Sequence, residues 1–381
     1  MHNLNIVHNW TRVLPENCKI QYVKFESDWI IIGLYCSDSI EEISIDIVSG
    51  RIQRRKSSEL ELIGYAEFRK NFYVITCYKG LNKRLWNRIE KSLNSKVICR
   101  QNTCVTASLK PNRVLEVKVI DARNEEIESI NIENTYDFQI GSSLSLVVLT
   151  TTGIRQEYSS TLLIDPSTIS IIDHISGFGG YVVESTDYVL VYGFSRGGYV
   201  TKIYDYHGEE VFEINGVPVL IPFNPLAYRV HRDKLFEFKL IAIIDRNDVK
   251  AINPYDFSIV FTSIKPPFTR GVLNIDVETY SLIVYSVLWN KPLIIKYDSN
   301  GTPLVISPQI SSLRYGLFTN KIAAIYVERE RGETRLYSIR DNIMVHEESF
   351  GPGVFPLVIK GDTIILTDSR KISSYSMERA W

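Results

Sequence analysis

Short runs of Ile, Leu, Val and Tyr alternate with tight polar turns along almost the whole chain. In LIIKYDSNGTPLVIS (293–307), two such runs flank Asp-Ser-Asn-Gly. Asn-Gly tolerates the positive φ angles that two-residue hairpin turns require, and β-branched and aromatic residues favour strands. The stretch therefore predicts a β-hairpin.

The same hairpin pattern recurs at a nearly constant spacing. Its turns are centred at Gly50, Asn124, Pro166, Gly208, Pro254, Asn300 and Asp341. The intervals between them are 74, 42, 42, 46, 46 and 41 residues, and a nearly fixed period of this length indicates a repeat architecture. Two further apolar runs precede the later hairpins, so the unit is four short strands. Four strands in about 40 to 50 residues are typical of a β-propeller blade.

The first and last repeats complement each other. After Asp341 the chain contains PLVIKG, DTIILTD and KISSYSM, which are three strands without a fourth, and LNIVHNWTRV (4–13) is a spare strand before the first repeat. Pairing the spare strand with the C-terminal strands would close a ring and remove exposed sheet edges. The prediction is an all-β fold, a single propeller over residues 1–381 with four-stranded blades. Eight blades are favoured, with seven as the alternative.

The 74-residue interval exceeds one repeat by about thirty residues. It contains GLNKRLWNRIEKSLNSK (80–96), in which apolar and basic residues each recur at helical spacing. The apolar positions are Leu81, Leu85, Ile89 and Leu93, with Trp86 beside them, and the basic positions are Arg84, Arg88 and Lys91. This pattern predicts an amphipathic helix inserted into the propeller over residues 80–96. If the interval held a short extra blade instead, the count would be nine, outside the usual range.

By its period and strand pattern the chain resembles the β-propeller class, in the broad sense of WD40-like and YVTN-like repeats, over nearly its whole length. No Gly-His and Trp-Asp pair marks each repeat, and no kelch double glycine recurs in register, so the resemblance reaches no specific family. It implies a disc with a central channel that is often used as a docking platform. The class includes enzymes as well as non-enzymes, so its functional implication is small.

The composition and the N-terminal sequence limit the expected partners, location and source of the protein. The chain is 45% hydrophobic and 23% charged, and its formal net charge of -1 provides no overall field for nucleic acid or an acidic membrane. The N-terminal MHNLNIVHNW has neither a basic nor a long apolar region, and no apolar run approaches the roughly 18 residues of a membrane span. We therefore expect a cytoplasmic protein. Six glutamines against plentiful Ile, Tyr, Glu and Arg favour a thermophilic source.

All five cysteines lie within the first 104 residues, and none forms a CxxC pair. Two of them, Cys99 and Cys104, are close enough in sequence for a disulfide. The simpler interpretation is that the cysteines are small buried residues of a protein in a reducing compartment.

Candidate catalytic groups are sparse. Gly193-Phe-Ser195-Arg-Gly197 matches the G-x-S-x-G string of serine hydrolases, with His231 or His346 as possible bases by chain order. A nucleophile elbow needs a helix directly after it, and GYVTKIY reads as a strand, so turn glycines between two strands are the better interpretation. The six histidines form no HxH or HxxxH pair, and the acidic residues fall mainly at turns. The sequence thus predicts no catalytic residue, no cofactor and no metal site.

The basic stripe is the strongest functional signal. Its predicted partner-binding residues are Lys83, Arg84, Trp86, Arg88, Lys91 and Lys96. Because interface hot spots favour Trp and Arg, we expect a protein partner, and a phosphate backbone is the less favoured ligand. The predicted function is a non-catalytic protein-interaction scaffold, a subunit of a larger complex without membrane contact. The alternatives are a hydrolase or lyase with a site at the channel mouth, acting on sugars or small metabolites, and a structural protein of a virion or cell surface. The sequence leaves the oligomeric state open.

Overall fold

The described part of the chain is predominantly β-strand in the computed structural model. The structure describes residues 4–16, 18–26, 28–36, 39–57, 63–69, 72–76, 95–100, 103–121, 126–143, 145–185, 187–195, 197–222, 238–267, 269–327, 332–368 and 370–379. Within these ranges the helical content is one 3-10 turn, Gln156–Tyr158. No helix in them is long and apolar enough to cross a membrane.

The chain divides into two compact units, which are described separately. The first comprises Met1–Lys56 with Pro218–Trp381, and the second comprises Ser57–Val217. Each unit consists of antiparallel sheets that follow one another along the chain, mostly four strands to a sheet. The repeated four-strand unit that the hairpin spacing predicts is therefore observed in both.

The first unit contains the chain termini. Its N-terminal strands are β1 (Leu4–Val13), β2 (Cys18–Glu26), β3 (Trp29–Cys36), β4 (Ser39–Asp46) and β5 (Ile52–Ser57). Its central strands are β20 (Val217–Pro222), β21 (Phe238–Ile244), β22 (Asp248–Ile252), β23 (Ile259–Ile264), β24 (Thr269–Asp276), β25 (Ser281–Leu288), β26 (Lys291–Asp298) and β27 (Pro303–Ile306). Its last strands are β28 (Leu313–Phe318), β29 (Ile322–Val327), β30 (Glu333–Arg340), β31 (Ile343–Phe350), β32 (Phe355–Lys360), β33 (Thr363–Thr367) and β34 (Lys371–Arg379). Three of its sheets have four strands each, in the orders β1-β34-β33-β32, β2-β3-β4-β5 and β20-β21-β22-β23. In a fourth, eight-stranded sheet, the strands β24 to β27 join the strands β28 to β31 through one parallel bridge between Ile306 and Ile343.

The described residues of the second unit form three sheets. Its strands are β6 (Ile63–Arg69), β7 (Phe72–Thr76), β8 (Ser95–Arg100), β9 (Thr103–Leu109), β10 (Leu115–Asp121), β11 (Glu126–Ile132), β12 (Thr135–Ser142), β13 (Val147–Gly153), β14 (Ser160–Asp165), β15 (Ser170–Ser176), β16 (Tyr181–Glu184), β17 (Val189–Ser195), β18 (Gly198–Tyr204) and β19 (Glu210–Asn215). β12 to β15 and β16 to β19 form four-stranded sheets. The third sheet has the order β11-β10-β9-β8-β6-β7, in which the β6–β7 hairpin extends the edge.

Burial follows the position of a strand within its sheet. The second strands are apolar on both faces; β29, for example, is buried along its whole length. The fourth strands alternate or are largely exposed, as in β15 and β19. Buried side chains form clusters between successive sheets, such as the cluster of Leu146, Val148 and Leu163 with Val189 and Val191. The sheets are therefore held together face to face by hydrophobic burial.

A second contact recurs between successive sheets. The turn between the third and fourth strands, here called the third turn, lies against the fourth strand of the preceding sheet. A Cβ at Gly208 would meet Ile172, a Cβ at Gly301 would meet Ile264, and the N–H of Ile306 donates to the carbonyl of Asn342 at 3.1 Å. The small turn residues predicted from sequence thus also provide room for the neighbouring sheet.

Buried threonines on the third strands donate hydrogen bonds to the connection that follows their own sheet. The Thr161 hydroxyl donates to the carbonyl of Phe178 at 2.9 Å, and the Thr201 hydroxyl donates to that of Gly216 at 2.8 Å. Thr334 does the same to Val354 at 2.6 Å. These bonds satisfy carbonyls that leave the sheet ladder, where an unpaired buried group would be costly.

The N-terminal strand pairs with the C-terminal strand. β1 lies antiparallel to β34 from Leu4 opposite Arg379 to Val13 opposite Lys371. β1 thereby becomes the fourth strand of a sheet whose other members are β32 to β34, and Trp10 on it meets the third turn of the β2–β5 sheet at Gly50. The predicted pairing of residues 4–13 with the C-terminal strands is confirmed.

The predicted helix over residues 80–96 is wrong at its C-terminal end. Ser95 and Lys96 begin strand β8, where they pair with Ser108 and Ala107. Residues 80–94 of that prediction lie outside the described residues. The described part of the long interval adds the β6–β7 hairpin, which the sequence analysis missed because its short apolar runs carry no turn signal of the repeated kind.

Candidate interaction surface

Most of the predicted partner-binding residues lie in a part of the chain that the structure does not describe. Lys83, Arg84, Trp86, Arg88 and Lys91 lie outside the described residues. Lys96 is described, and its ammonium group contacts its own chain: Nζ donates to the carbonyl of Phe138 at 3.2 Å and lies 5.2 Å from the centre of the Phe138 ring. Lys96 therefore has a structural contact between β8 and β12 in the second unit.

The G-x-S-x-G string forms a β-hairpin. β17 and β18 pair up to Ser195 opposite Gly198, which makes the string part of a tight hairpin. No helix follows Ser195, and the strained strand-to-helix turn of a nucleophile elbow is not formed. Of the two possible bases, His346 bonds the Ser349 hydroxyl at 3.0 Å, and His231 lies outside the described residues.

The glycines of this region allow close backbone packing. The connection between β15 and β16 contains Gly179 and Gly180, and it runs directly over β17. A Cβ on Gly193 would collide with the carbonyl oxygen of Gly179, and a Cβ on Gly180 would collide with that of Tyr192. The Thr150 hydroxyl anchors the connection by donating to the Gly180 carbonyl at 2.6 Å. Gly193 is thus required for packing, and a catalytic explanation is unnecessary.

Four aromatic side chains cluster on one face of the same sheet. Tyr181 lies opposite Tyr192, and Phe194 lies opposite Tyr199. The Tyr181 and Tyr192 rings stack with centroids 5.0 Å apart, and Phe194 meets Tyr199 edge to face at 5.6 Å. Tyr192 and Tyr199 are 6.5 Å apart, so the rings form one continuous group, here called the aromatic cluster.

The aromatic cluster is strongly exposed for its size. Phe194 is 64% exposed, Tyr181 51% and Tyr199 46%, while Tyr192 is half-buried among them. Burial raises the pKa of Tyr192, and the neighbouring Tyr181 and Tyr199 raise it further, so its hydroxyl stays neutral at physiological pH. The cluster is therefore an aromatic surface that carries hydroxyl groups, the composition that protein interfaces favour.

The sequence analysis did not select this cluster. A signal was present: Tyr192 and Phe194 occupy alternate positions of β17, and Tyr199 directly follows the Gly197-Gly198 pair. Side chains two apart on a strand share a face, and a two-residue turn brings the next strand into register. The G-x-S-x-G interpretation considered the serine and overlooked the aromatics on either side of it.

Two cysteines are in disulfide bonds. Cys18 and Cys104 are both disulfide-bonded. In the strand registers Cys18 pairs with Cys36, and Cys104 pairs with Cys99. This differs from the interpretation of the cysteines as reduced buried residues. The predicted alternative of a Cys99–Cys104 bond stays a prediction, and the strand register places these two residues opposite each other. Cross-strand pairing brings the two residues together, which sequence spacing alone could only suggest.

Ligand-binding chemistry is sparse in the part of the chain that the structure describes. It contains no group of three or more His, Cys, Asp or Glu side chains able to hold a metal ion. The acidic residues at third turns accept hydrogen bonds from their own turns: the Asp165 carboxylate receives the Ser167 N–H and hydroxyl, both at 2.7 Å. These carboxylates therefore have a structural use.

Comparison with known proteins shows similarity at the level of fold class. No family model matches the sequence, and no curated protein matches it. Among solved structures, BamB from Moraxella catarrhalis has a TM-score of 0.38 and 9% identity, covering 98% of this chain and 100% of that one. The C-terminal WD40 domain of Sif2 has a TM-score of 0.40 and 10% identity, covering 97% and 99%. The Dos1 propeller has a TM-score of 0.36 and 11% identity, covering 97% and 95%. The resemblance to the propeller class without a specific family is confirmed, and similarities this distant support no statement about function.

Proposed function

We propose that the protein is a non-catalytic interaction scaffold that binds a protein partner through the aromatic cluster. The exposure of Tyr181, Phe194 and Tyr199 in one continuous group carries this proposal. Isolated exposed apolar residues are ordinary, whereas contiguous exposed patches mark interaction sites. Aromatic residues with a polar atom are enriched at the centres of interfaces, where they bury a large area at a small entropic cost.

The proposed scaffold is a single propeller of eight blades over residues 1–381. The strand groups β2–β5, β8–β11, β12–β15, β16–β19, β20–β23, β24–β27, β28–β31 and β32–β34 with β1 support the count. The contact of Gly50 with Trp10 repeats the third-turn contact between successive sheets, which supports closure at the β1–β34 pair. Electron microscopy of the purified protein tests this directly, because a ring of seven densities would contradict the count.

A triple substitution tests the aromatic cluster. Tyr181→Ser, Phe194→Ser and Tyr199→Ser together remove the exposed rings and leave Tyr192 in place. The tagged wild-type chain, purified from its native source, should retain a stoichiometric partner, and the triple variant should lose at least about tenfold in affinity for it, as expected for hot-spot residues. Equal retention by the two chains would refute the role of the cluster.

A matched control separates a specific surface from general hydrophobicity. Tyr255 and Tyr280 of the first unit are 68% and 62% exposed. The double variant Tyr255→Ser and Tyr280→Ser removes a comparable exposed aromatic area outside the cluster. It should keep the partner, and both variants should melt within a few degrees of wild type, because substitutions of exposed side chains are usually close to neutral.

The basic segment is proposed as a second contact for the same partner. Its residues are Lys83, Arg84, Trp86, Arg88, Lys91 and Lys96. The positive charge of its five basic residues, in a chain of net charge -1, supports this role. Changing Lys83, Arg84, Arg88 and Lys91 to Glu should weaken capture of the partner. An unchanged partner list with intact folding would exclude the segment and leave the aromatic cluster unaffected.

A further inference from the structure

Trp289 occupies the tip of a hairpin in the first unit. β25 and β26 pair up to Leu288 opposite Lys291, so Trp289 and Asn290 form the two-residue turn. Both residues have positive φ angles, 49° and 60°. Asn adopts this conformation readily, whereas a bulky residue there is strained. The Trp289 side chain is 87% exposed, so neither backbone preference nor burial explains a tryptophan at this turn.

Hydrogen bonds bring three neighbouring segments to the same end of two sheets. The Lys265 N–H donates to the carbonyl of Asn247, in the turn between β21 and β22, at 2.9 Å. The Ser286 hydroxyl, near the end of β25, donates to the carbonyl of Pro267 at 3.3 Å. The β21–β22 turn, the connection to β24 and the Trp289 turn are thereby joined in one region of the first unit.

This region is basic. Arg246, Lys265, Arg270 and Lys291 lie in or beside these three segments, and all four are exposed. Two acidic residues, Asp245 and Asp248, share the β21–β22 turn, and Asp248 pairs with Lys250 at 3.4 Å. Trp289 with the four cations is here called the Trp289 surface.

Negative charge lies at the other end of the same sheets. Asp256, Asp276 and Glu278 belong to turns between first and second strands or between third and fourth strands. The Trp289 turn lies between second and third strands, and in an antiparallel sheet that turn is at the opposite end. The two sheets therefore present separated charges, which favours and orients an anionic partner.

We propose that the Trp289 surface is a docking site for an acidic polypeptide segment that receives Trp289 in an apolar pocket. A protruding Trp with exposed cations in the same region matches the hot spots of protein interfaces, in which Trp and Arg dominate. Single-stranded nucleic acid favours a basic groove with several stacking rings, and membrane insertion favours a broad apolar face. The Trp289 turn is a two-residue tip with one ring, so it provides neither a basic groove with several stacking rings nor a broad apolar face. This site is independent of the aromatic cluster.

A defined probe tests the proposal. The probe is a fluorescein-labelled random copolymer of Glu and Tyr in a 4:1 ratio, and anisotropy measures its binding to the full chain. Trp289→Gly should weaken binding at least about tenfold while relieving backbone strain, so misfolding would not explain the loss. The pair Arg270→Glu and Lys291→Glu should have a similar effect. Binding by the wild-type chain should also weaken as salt rises, because exposed charges are screened.

Control variants and control probes define which results would overturn the proposal for the Trp289 surface. Arg51→Glu changes an exposed arginine at the third turn of another sheet and should leave binding unchanged. Loss of copolymer binding by this control to the same degree as by the double variant would show a general charge effect and refute the site. Tighter binding of a dT20 oligonucleotide or of phosphatidylserine vesicles, with the same dependence on Trp289, would assign the surface to nucleic acid or membrane instead. Retained binding by Trp289→Gly would also refute it.

Discussion

The two kinds of hairpin turn in these sheets have different residues and different roles. Third turns commonly contain an aspartate that binds its own turn: the Asp298 carboxylate accepts the N–H groups of Asn300 at 3.0 Å and Thr302 at 2.7 Å. The turns between second and third strands at Trp289 and at Ser195 carry or adjoin exposed aromatic rings. The aspartates of third turns accept hydrogen bonds within the repeat, whereas the turns at Trp289 and Ser195 present exposed rings. The difference predicts where substitutions will damage stability and where they will damage binding.

The largest stability effect is expected at a third turn that packs against its neighbour. A Cβ at Gly50 would lie 2.6 Å from Cδ2 of Trp10, and Gly50 has a φ of 66°. Gly50→Ala should therefore cost roughly 2 to 3 kcal/mol of unfolding free energy, from overpacking and backbone strain together. Chemical denaturation measures the loss.

Gly197 provides the matched comparison for Gly50. It lies in the β17–β18 turn, and no atom lies within 4 Å of a Cβ built on it. Gly197→Ala should change the free energy of unfolding by less than about 0.5 kcal/mol. If the two alanine variants were equally unstable, the contact between the third turn and the preceding sheet would not be the cause.

The next effect concerns the carboxylate of a third turn. Asp298→Ala removes the acceptor for two backbone N–H groups and should cost about 1 to 2 kcal/mol of stability. Asp298→Asn keeps a side-chain oxygen and should recover more than half of that loss. Equal losses in the two variants, measured by urea unfolding, would show that the hydrogen bonds contribute little.

The repeat was predictable because its determinants are local. Asn300-Gly301 and the other turn residues specify hairpins on their own, and the period follows from counting them. The pairing of residues 4–13 with the C-terminal strands was predictable because an incomplete repeat leaves an edge that needs a partner. A further local signal was overlooked: Thr161 and Thr201 each stand four residues before the aspartate of a third turn.

The surfaces were not predictable because they depend on register and on neighbouring sheets. Tyr181 meets Tyr192 only after β16 has paired with β17. The end of the predicted helix failed for a related reason: Lys96 fits the basic spacing of a helix, but the ladder with β9 places it in a strand. Tertiary pairing overrides local periodicity in such short segments.

A smaller effect, of opposite sign, is expected at the Trp289 turn. Trp289→Gly should raise the unfolding free energy by up to about 1 kcal/mol, because glycine adopts a φ of 49° without strain and little burial is lost. Asn290→Gly should change stability by no more than a few tenths, because Asn already tolerates this conformation. A lower melting temperature for Trp289→Gly would show that the ring contributes to folding, which would contradict the contrast between the two kinds of turn.

The smallest predicted effect is on the pH dependence of stability, which should differ between the Asp276 turn and the Trp289 turn. Asp276 lies in the turn between β24 and β25. Burial raises its pKa, but hydrogen bonds from Thr279 and Lys296 outweigh this, so its pKa lies below the ordinary value of 3.8. A depressed pKa stabilises the folded state at a pH above the unfolded pKa, and this contribution is lost as pH falls through the folded pKa. Between pH 5 and 7 the carboxylate is ionised in both the folded and the unfolded state, so it should not change the urea midpoint over that range. Below about pH 4 the urea midpoint of the wild-type chain should decline.

The Asp276→Asn variant should be less stable than wild type at pH 7, and its urea midpoint should decline less steeply below pH 4. Trp289→Gly should keep the wild-type pH profile, since no acidic group is altered. An Asp276→Asn profile parallel to wild type would show that this turn does not contribute to acid sensitivity.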